Sequence, residues 1–407
     1  MKQVTLRYGV GSSLRLDLAD SALLGHLKGP EKPTIEPATA THQALVAPLE
    51  FPPLVQITVP GDRVVLAVDG DMPQVETVLA ELVDVLVHGN TEAADITVLL
   101  PAAPLNDPLS KLPESLRHSI TVAVHDSEDR KQLSYLAATT TDQRVYLNRL
   151  LTDADVVLPV GCMRFDTLLG WHGTFSGLYP LYSDAETQRR FRQQELQAIE
   201  LGPQPLLRKE VDEVGWLLGV LFVVQAVPSQ QQGVYQLLAG DAVRVLAAGG
   251  ETLQQNWNYI RQPLADVVVA TLDEPAEGQT WHALGRALAA AVEVVRDQGA
   301  IVVCCDLNDQ TAQGQLGPAL QWLSRSEATP TVLRRIVKQL PPDSIPAFQL
   351  ARAVEKAQVY LLSQLSPSVV EELGMAPATH PSEVTRLVER HGHCLILENA
   401  ARMRVSS

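Results

Sequence analysis

Short apolar runs alternate with spacers of helix length along most of this 407-residue chain. The runs are rich in valine, as in RVVLAV at 63–68, which is typical of parallel strands buried on both faces. From about Gln74 to His88 the apolar residues recur at the spacing of an amphipathic helix. This alternation predicts an α/β fold with largely parallel sheets. The predicted strands are 63–68, 95–101, 120–126, 154–161, 218–227, 265–272, 299–307 and 393–400.

The chain length favours two domains, because a single hydrophobic core rarely serves so many residues. A polar helical stretch at 187–201, followed by the loop GPQP, ends a first series of elements. A second series then begins near residue 218. We therefore expect two Rossmann-like domains with an interdomain cleft. Their predicted bounds are 1–205 and 206–397, with about 398–407 as a candidate completion of the first domain.

Two segments before the first series have patterns of their own. The opening VTLRYGVGSSLRLDL alternates apolar and polar residues and has Gly9 and Gly11 in the middle, which predicts a β-hairpin. Residues 28–53 are rich in proline and threonine, and we expect an irregular connection there.

Charge and cysteine content narrow the classes of partner and compartment. The formal charge of −15 disfavours nucleic acid and anionic membranes, which would repel the chain. No apolar stretch is long enough to span a bilayer, and MKQVTLRYGVG does not resemble a signal peptide. The four cysteines show no C-x-x-C spacing. We therefore expect a cytoplasmic protein that binds a small molecule; its oligomeric state stays open.

The segment VVLPVGCMRFDTLLGWHGTFSGLYP at 156–180 joins a buried strand to a glycine-rich loop, where α/β proteins hold ligands. It resembles the nickel-pincer lactate racemase family, in which a strand leads into G-x-I-x-P-H-x-x-x-G-F-S-G-G-x-K-x-I-x-P. Gly161, Gly170, Gly173 and Pro180 stand in register with that frame. Other segments that resemble the family in order are RYGVG, AVDGDMP, DITVLLPAAPLND, EVDEVGWLLGVLFVVQAV, LLAGDAVRVLAAG and ADVVVATLDEPAEGQTWHALGRAL.

The resemblance implies a two-domain α/β fold, but the reactive side chains of the family are replaced. Family members racemise 2-hydroxy acids with a nickel held by a lysine-tethered pincer nucleotide and with histidine bases. Here Asp166 stands at a family histidine, Ser176 at the anchoring lysine and Leu105 at the acid–base histidine. Met72 stands at a family arginine, and no histidine follows Pro180 at the spacing of the second nickel ligand. We therefore expect neither the nickel pincer nor another metal.

The same loop supplies the candidate catalytic groups, His172 and Asp166. His172 is either the titratable group of a site or a loop histidine bonded to backbone. Asp166 is a weak base unless its surroundings raise its pKa. Arg164 either contacts a ligand or forms an ion pair with Asp166 that steadies the loop. Ser176, a candidate ligand contact, lacks the G-x-S-x-G frame of a nucleophile elbow.

Other candidate ligand-binding residues follow predicted strands. Asp69 and Asp71 come directly after the strand at 63–68, where they either contact a ligand or cap a turn. Trp281, His282 and Arg286 begin a predicted helix at 281–296; Trp281 is a packing or recognition residue, and Arg286 a candidate for binding an anion.

Three functions remain open from the sequence. The first is a lactate racemase-like protein without nickel-pincer activity that binds a small, carboxylate-bearing molecule in the interdomain cleft, as a pseudoenzyme or with other chemistry. The second is an active 2-hydroxy-acid racemase or epimerase, an isomerase with rearranged site residues. The third is a non-catalytic partner or regulatory subunit.

Overall fold

The structure is a computed structural model that describes residues 2–31, 33, 35–260, 263–310, 314–324 and 329–406. Its strands are β1 Lys2–Tyr8, β2 Ser12–Leu18, β3 Leu23–Lys28, β4 Val64–Val68, β5 Ile96–Leu100, β6 Thr121–Val124, β7 Leu133–Ala138, β8 Arg144–Asn148, β9 Val156–Cys162, β10 Arg164–Asp166, β11 Gly170–His172, β12 Val223–Pro228, β13 Val234–Gly240, β14 Asn258–Ile260, β15 Ala265–Thr271, β16 Val295–Cys304, β17 Gln358–Leu362, β18 Ala376–Ala378, β19 Cys394–Glu398 and β20 Arg404–Ser406.

Its helices lie mostly between these strands, as the sequence pattern predicts. They are α1 Pro37–Val46, α2 Val75–His88, α3 Glu114–Arg117, α4 Arg149–Asp153, α5 Ala185–Leu201, α6 Pro205–Leu217, α7 Ala242–Asn256, α8 Trp281–Val292, α9 Pro318–Leu323, α10 Thr329–Gln339, α11 Ser344–Lys356, α12 Pro367–Glu372 and α13 Pro381–Arg390. None of these helices combines the length and the apolar character that crossing a membrane would require.

The chain forms two compact units, and each draws on separate segments. The central unit comprises Glu31–Ser229 and Gly233–Gln255; the terminal unit comprises Met1–Pro30, Gln230–Gln232 and Asn256–Ser407. This division differs from the predicted domains 1–205 and 206–397. The reason is that β12, predicted to open the second series, pairs with β9 and extends the first sheet.

The central unit is built on a six-stranded sheet in the order β13-β12-β9-β4-β5-β6. All neighbouring pairs are parallel except β12 and β13, which are antiparallel. Every residue of β4 is buried, as expected for a strand covered on both faces. Helix α2 buries its apolar face against this sheet and α1, within one continuous core. The predicted α/β class with largely parallel sheets is confirmed.

The terminal unit is built on a second six-stranded sheet, in the order β18-β17-β16-β15-β19-β3, and all of its neighbouring pairs are parallel. Helices α8 and α11 pack on it. The predicted hairpin is confirmed as β1 and β2, whose buried residues alternate with exposed ones and pack with α13 against the sheet.

Residues 28–53 are more regular than the sequence indicated. Strand β3 ends at Lys28, and α1 begins at Pro37, although Lys32 and Thr34 lie outside the described residues. Proline is favourable at the first position of a helix, because that position needs no backbone donor. The prolines of residues 28–53 therefore include the first residue of a helix, Pro37, as well as residues of an irregular connection.

Candidate functional site

The sequence-predicted residues of the central unit meet at one edge of its sheet. From β4 the chain first adds β5 and β6 on one side and then crosses to β9 on the other. In open α/β sheets, ligands bind at this switch in direction, beyond the carboxyl ends of the strands. Asp69 directly follows β4, and the β10–β11 hairpin with Arg164 and His172 directly follows β9.

Asp69 and His172 form a buried pair at this switch point. His172 Nε2 lies 2.6 Å from Asp69 Oδ2, and the two side chains are 10% and 8% exposed. Burial opposes ionisation of Asp69, but the charges of His172 and Arg164 and the His172 hydrogen bond outweigh it, so the pKa of Asp69 is lowered. His172 is thus bonded to a carboxylate and not, as one interpretation had it, to backbone.

Ser176 lies on the other side of the imidazole ring. Its Oγ is 3.4 Å from His172 Nδ1, accepts the Gly173 N–H at 2.8 Å and lies 3.0 Å from the Gly173 carbonyl oxygen. The carbonyl oxygen is therefore the nearer acceptor for the single hydroxyl proton. Ser176 is only 2% exposed. The contacts among Asp69, His172 and Ser176 therefore stabilise the loop. This geometry does not favour Ser176 as a nucleophile.

Arg164 and Asp166 have different partners. Of the two alternatives for Arg164, the ion pair with Asp166 is not formed; its Nε instead lies 3.3 Å from Asp71 Oδ2. The Asp166 Oδ1 instead accepts the N–H groups of Leu168 at 2.9 Å and Leu169 at 2.7 Å, which closes the turn between β10 and β11. Asp166 is thereby committed to loop structure, as short polar side chains often are in turns.

Gln225 completes the site, and sequence reasoning missed it. It lies on β12 in register with Gly161 of β9 and is 1% exposed. A Cβ on Gly173 would meet the Gln225 Oε1 at 3.0 Å, and a Cβ on Gly161 would meet both this oxygen and Asp69 Oδ2 at 3.3 Å. Gly173 also has a φ of +128°, which side chains rarely adopt. The one available signal is an amide within the apolar run FVVQAV at 222–227.

Buried polar groups hold the neighbouring strand ends in place. The Tyr182 hydroxyl lies 2.5 Å from the Val68 carbonyl oxygen and 2.8 Å from that of Leu99, so it ties the ends of β4 and β5 together. His125 Nε2 donates to the Ser183 carbonyl oxygen at 2.9 Å, and Asn148 Nδ2 donates to His125 Nδ1 at 3.1 Å. Burial lowers the pKa of His125, which favours its neutral form.

Trp281, His282 and Arg286 lie on α8 of the terminal unit. Trp281 is 5% exposed and its Nε1 donates to the Gly314 carbonyl oxygen at 3.0 Å, which supports the packing role. His282 is exposed, and Arg286 is partly buried. These residues therefore share one helix, and only Trp281 belongs to the buried core.

The terminal sheet has a switch point of its own, which sequence reasoning did not identify. From β15 the chain adds β16, β17 and β18 on one side and returns to β19 on the other. Arg402 Nε and Nη2 lie 2.6 and 2.7 Å from the two carboxylate oxygens of Glu274, and both side chains are 4% exposed. Asn399 adjoins this pair, and its Nδ2 lies 3.4 Å from the Asp273 carbonyl oxygen.

Comparisons with known proteins agree with this architecture. Residues 8–192 match the model of the lactate racemase N-terminal domain. The fold is similar to that of the lactate racemase apoprotein from Thermoanaerobacterium thermosaccharolyticum, with a TM-score of 0.81, 18% identity and full coverage of both chains. A structural-genomics crystal structure of a Thermotoga maritima protein has a TM-score of 0.67 and 13% identity, over 92% of this chain and 99% of that one. No curated protein matches the chain in sequence.

Proposed function

We propose that this chain is a lactate racemase-like protein and that it binds a small, carboxylate-bearing molecule at the β4–β9 switch point without nickel-pincer racemisation. The observation that carries the proposal is the buried Asp69–His172 pair with Arg164 beside it, at the edge where α/β sheets bind ligands. Paired charges that are both buried and located at such an edge are typical of functional sites.

Arg164 is the group we assign to the ligand carboxylate. Its side chain is 17% exposed, and the 3.3 Å contact between its Nε and Asp71 is long for an ion pair. An incoming carboxylate can compete with Asp71, which is itself 22% exposed, for the planar guanidinium. His172 would then lie beside the bound molecule and give or take a proton, with Asp69 stabilising its charged form.

The donor groups do not fit the nickel pincer of the family. Among the described residues, no three His, Cys, Asp or Glu side chains are grouped to hold a metal ion. Ser176, at the position of the anchoring lysine, offers a hydroxyl that is bonded to Gly173. Asp166, at the position of a family histidine, accepts two backbone N–H groups. We therefore derive no chemical step through that cofactor.

One observation favours the alternative of an active racemase or epimerase. The Asp69–His172 contact is the kind of carboxylate–imidazole pair that positions a general base. In that case purified protein would interconvert D- and L-lactate, and His172→Gln would abolish the reaction. Arg244→Lys, on the same unit but paired with the exposed Glu50, is the control that should leave it unchanged.

Ligand binding is tested by thermal unfolding with D-lactate, L-lactate, propionate and pyruvate. Selective binding to the folded state raises the melting temperature. Arg164→Met should weaken binding by about ten- to a hundredfold, the value of a charge-assisted hydrogen bond. Arg63→Met, which breaks the Arg63–Asp155 pair at the amino end of β4, is the matched control and should leave binding intact. Arg286→Met tests the second predicted anion-binding residue.

Two outcomes contradict the proposal. Nickel in a metal analysis would refute the proposal that this protein lacks the nickel pincer. An added mass of a pyridine-derived group on the intact protein would refute it as well. Binding that survives Arg164→Met would refute the assignment of the carboxylate to Arg164, and loss of binding in Arg286→Met alone would assign it to Arg286.

The compartment is part of the same proposal. All four cysteines are buried thiols, in keeping with a reducing compartment. We propose a cytoplasmic protein.

A further inference from the structure

Gln225 is the most unusual side chain near the Asp69–His172 pair. It belongs to β12, whose six residues are all buried, and it is itself 1% exposed. Amide side chains are rarely so deeply buried unless their polar atoms are hydrogen-bonded. Among the described residues, none forms a hydrogen bond with the Gln225 Oε1.

Two glycines lie beside this oxygen. A methyl group on Gly173 would lie 3.0 Å from it, and one on Gly161 would lie 3.3 Å from it. The same point beside Gly161 is 3.3 Å from Asp69 Oδ2. Two acceptor oxygens therefore lie near the same point beside Gly161, where a side chain would crowd both. Because the pKa of Asp69 is lowered, its carboxylate is ionised at neutral pH and also favours a donor.

We propose that Gln225 is a specificity residue, whose Oε1 accepts a hydrogen bond from a donor group next to the carboxylate of the ligand. The inference rests on the proposed binding function and narrows it. A hydroxyl or ammonium group at the carbon beside the carboxylate supplies such a donor. A methylene group or a keto oxygen does not, and leaves the buried amide oxygen unsatisfied.

The first test needs no ligand. Gln225→Met removes an acceptor that lacks a donor while keeping the volume, so the melting temperature should stay the same or rise. Gln279→Met is the matched control, because Gln279 is 4% exposed and fully bonded. Its Oε1 accepts the Asp306 N–H at 3.0 Å and its Nε2 donates to the Glu274 carbonyl oxygen at 2.8 Å. This control should lower the melting temperature. An equal loss in both variants would make Gln225 structural and overturn the inference.

The second test measures dissociation constants for lactate, alanine, propionate and pyruvate by calorimetry. Wild-type protein should bind lactate or alanine about three- to tenfold more tightly than propionate and pyruvate, the usual value of one hydrogen bond. Gln225→Met should remove this preference and leave the affinity for propionate unchanged. The difference between lactate and alanine identifies which donor is selected.

The outcomes separate this inference from the proposed function. Equal binding of lactate, alanine and propionate by the wild-type protein refutes the role of Gln225 and leaves carboxylate binding standing. A preference that persists in Gln225→Met also refutes it. If none of the four acids binds, the proposed function fails and the inference fails with it.

Discussion

The switch points of the two sheets carry the same kinds of group in different arrangements. In the central unit, Asp69 meets a single nitrogen of His172, with Gln225 nearby. In the terminal unit, Glu274 meets Arg402 through two nitrogens. There Asn399 is the neighbouring buried amide, and among the described residues its Oδ1 also has no hydrogen-bond partner.

The two nitrogen-bearing side chains differ in chemistry, and this difference distinguishes the two pairs. A guanidinium keeps its charge at any physiological pH, and its fork matches both carboxylate oxygens, so the Glu274–Arg402 pair holds its strand ends permanently. Imidazole is the side chain whose charge changes most readily near neutral pH. One topology thus supports a two-point carboxylate–guanidinium pair in one unit and a single-contact carboxylate–imidazole pair in the other.

The largest effect on stability is expected from breaking the Glu274–Arg402 pair. Arg402→Met leaves the Glu274 carboxylate buried and without its cation, which should lower the free energy of unfolding by about 3–5 kcal/mol. Urea unfolding followed by circular dichroism measures the loss. The double variant Glu274→Leu with Arg402→Met removes both charges and should recover most of it. A loss of only a few tenths for Arg402→Met would contradict the structural role.

A smaller effect is expected from the corresponding change in the central unit. His172→Gln removes one hydrogen bond to Asp69, while Arg164 still lowers the electrostatic cost of the carboxylate. The free energy of unfolding should fall by about 1–3 kcal/mol, measured as for Arg402→Met. Asp69→Asn with His172→Gln is the control, in which no charge stays buried. If His172→Gln costs as much as Arg402→Met, the two pairs are equally structural and the comparison fails.

Much of the fold follows from the sequence, because strand cores and helices have local signatures. RVVLAV predicts β4, and the spacing of apolar residues predicts α2. The sheet to which a strand belongs depends on its partners, which no local pattern reveals. The strand predicted at 218–227 was therefore assigned to the second series, although β12 pairs with β9.

The residues of the candidate site likewise fall into those that a local sequence pattern reveals and those that only the folded chain brings together. Asp69 could be found because it directly follows a predicted strand. His172 could be found because it lies in a glycine-rich loop. Gln225 could not, because every residue of β12 is buried and the alternation that marks a polar face is lost. The Glu274–Arg402 pair joins residues 128 positions apart, and only the folded chain brings them together.

The smallest effect concerns the acid stability of the central pair. Because the folded pKa of Asp69 is lowered, the unfolded chain takes up this proton first as the pH falls. The stabilising contribution of Asp69 is therefore fully present above its unfolded pKa of about 3.9 and is lost as the pH falls through the folded value. Free energies of unfolding of the wild type and Asp69→Asn, measured by urea titration from about pH 6 to pH 3, should thus converge at the acidic end. Carboxylates that do not interact with Asp69 affect both proteins equally and cancel in the difference. A difference that stays constant over this range would mean that Asp69 is not held ionised by His172 and Arg164, and the central pair would then lose the feature that separates it from the terminal one.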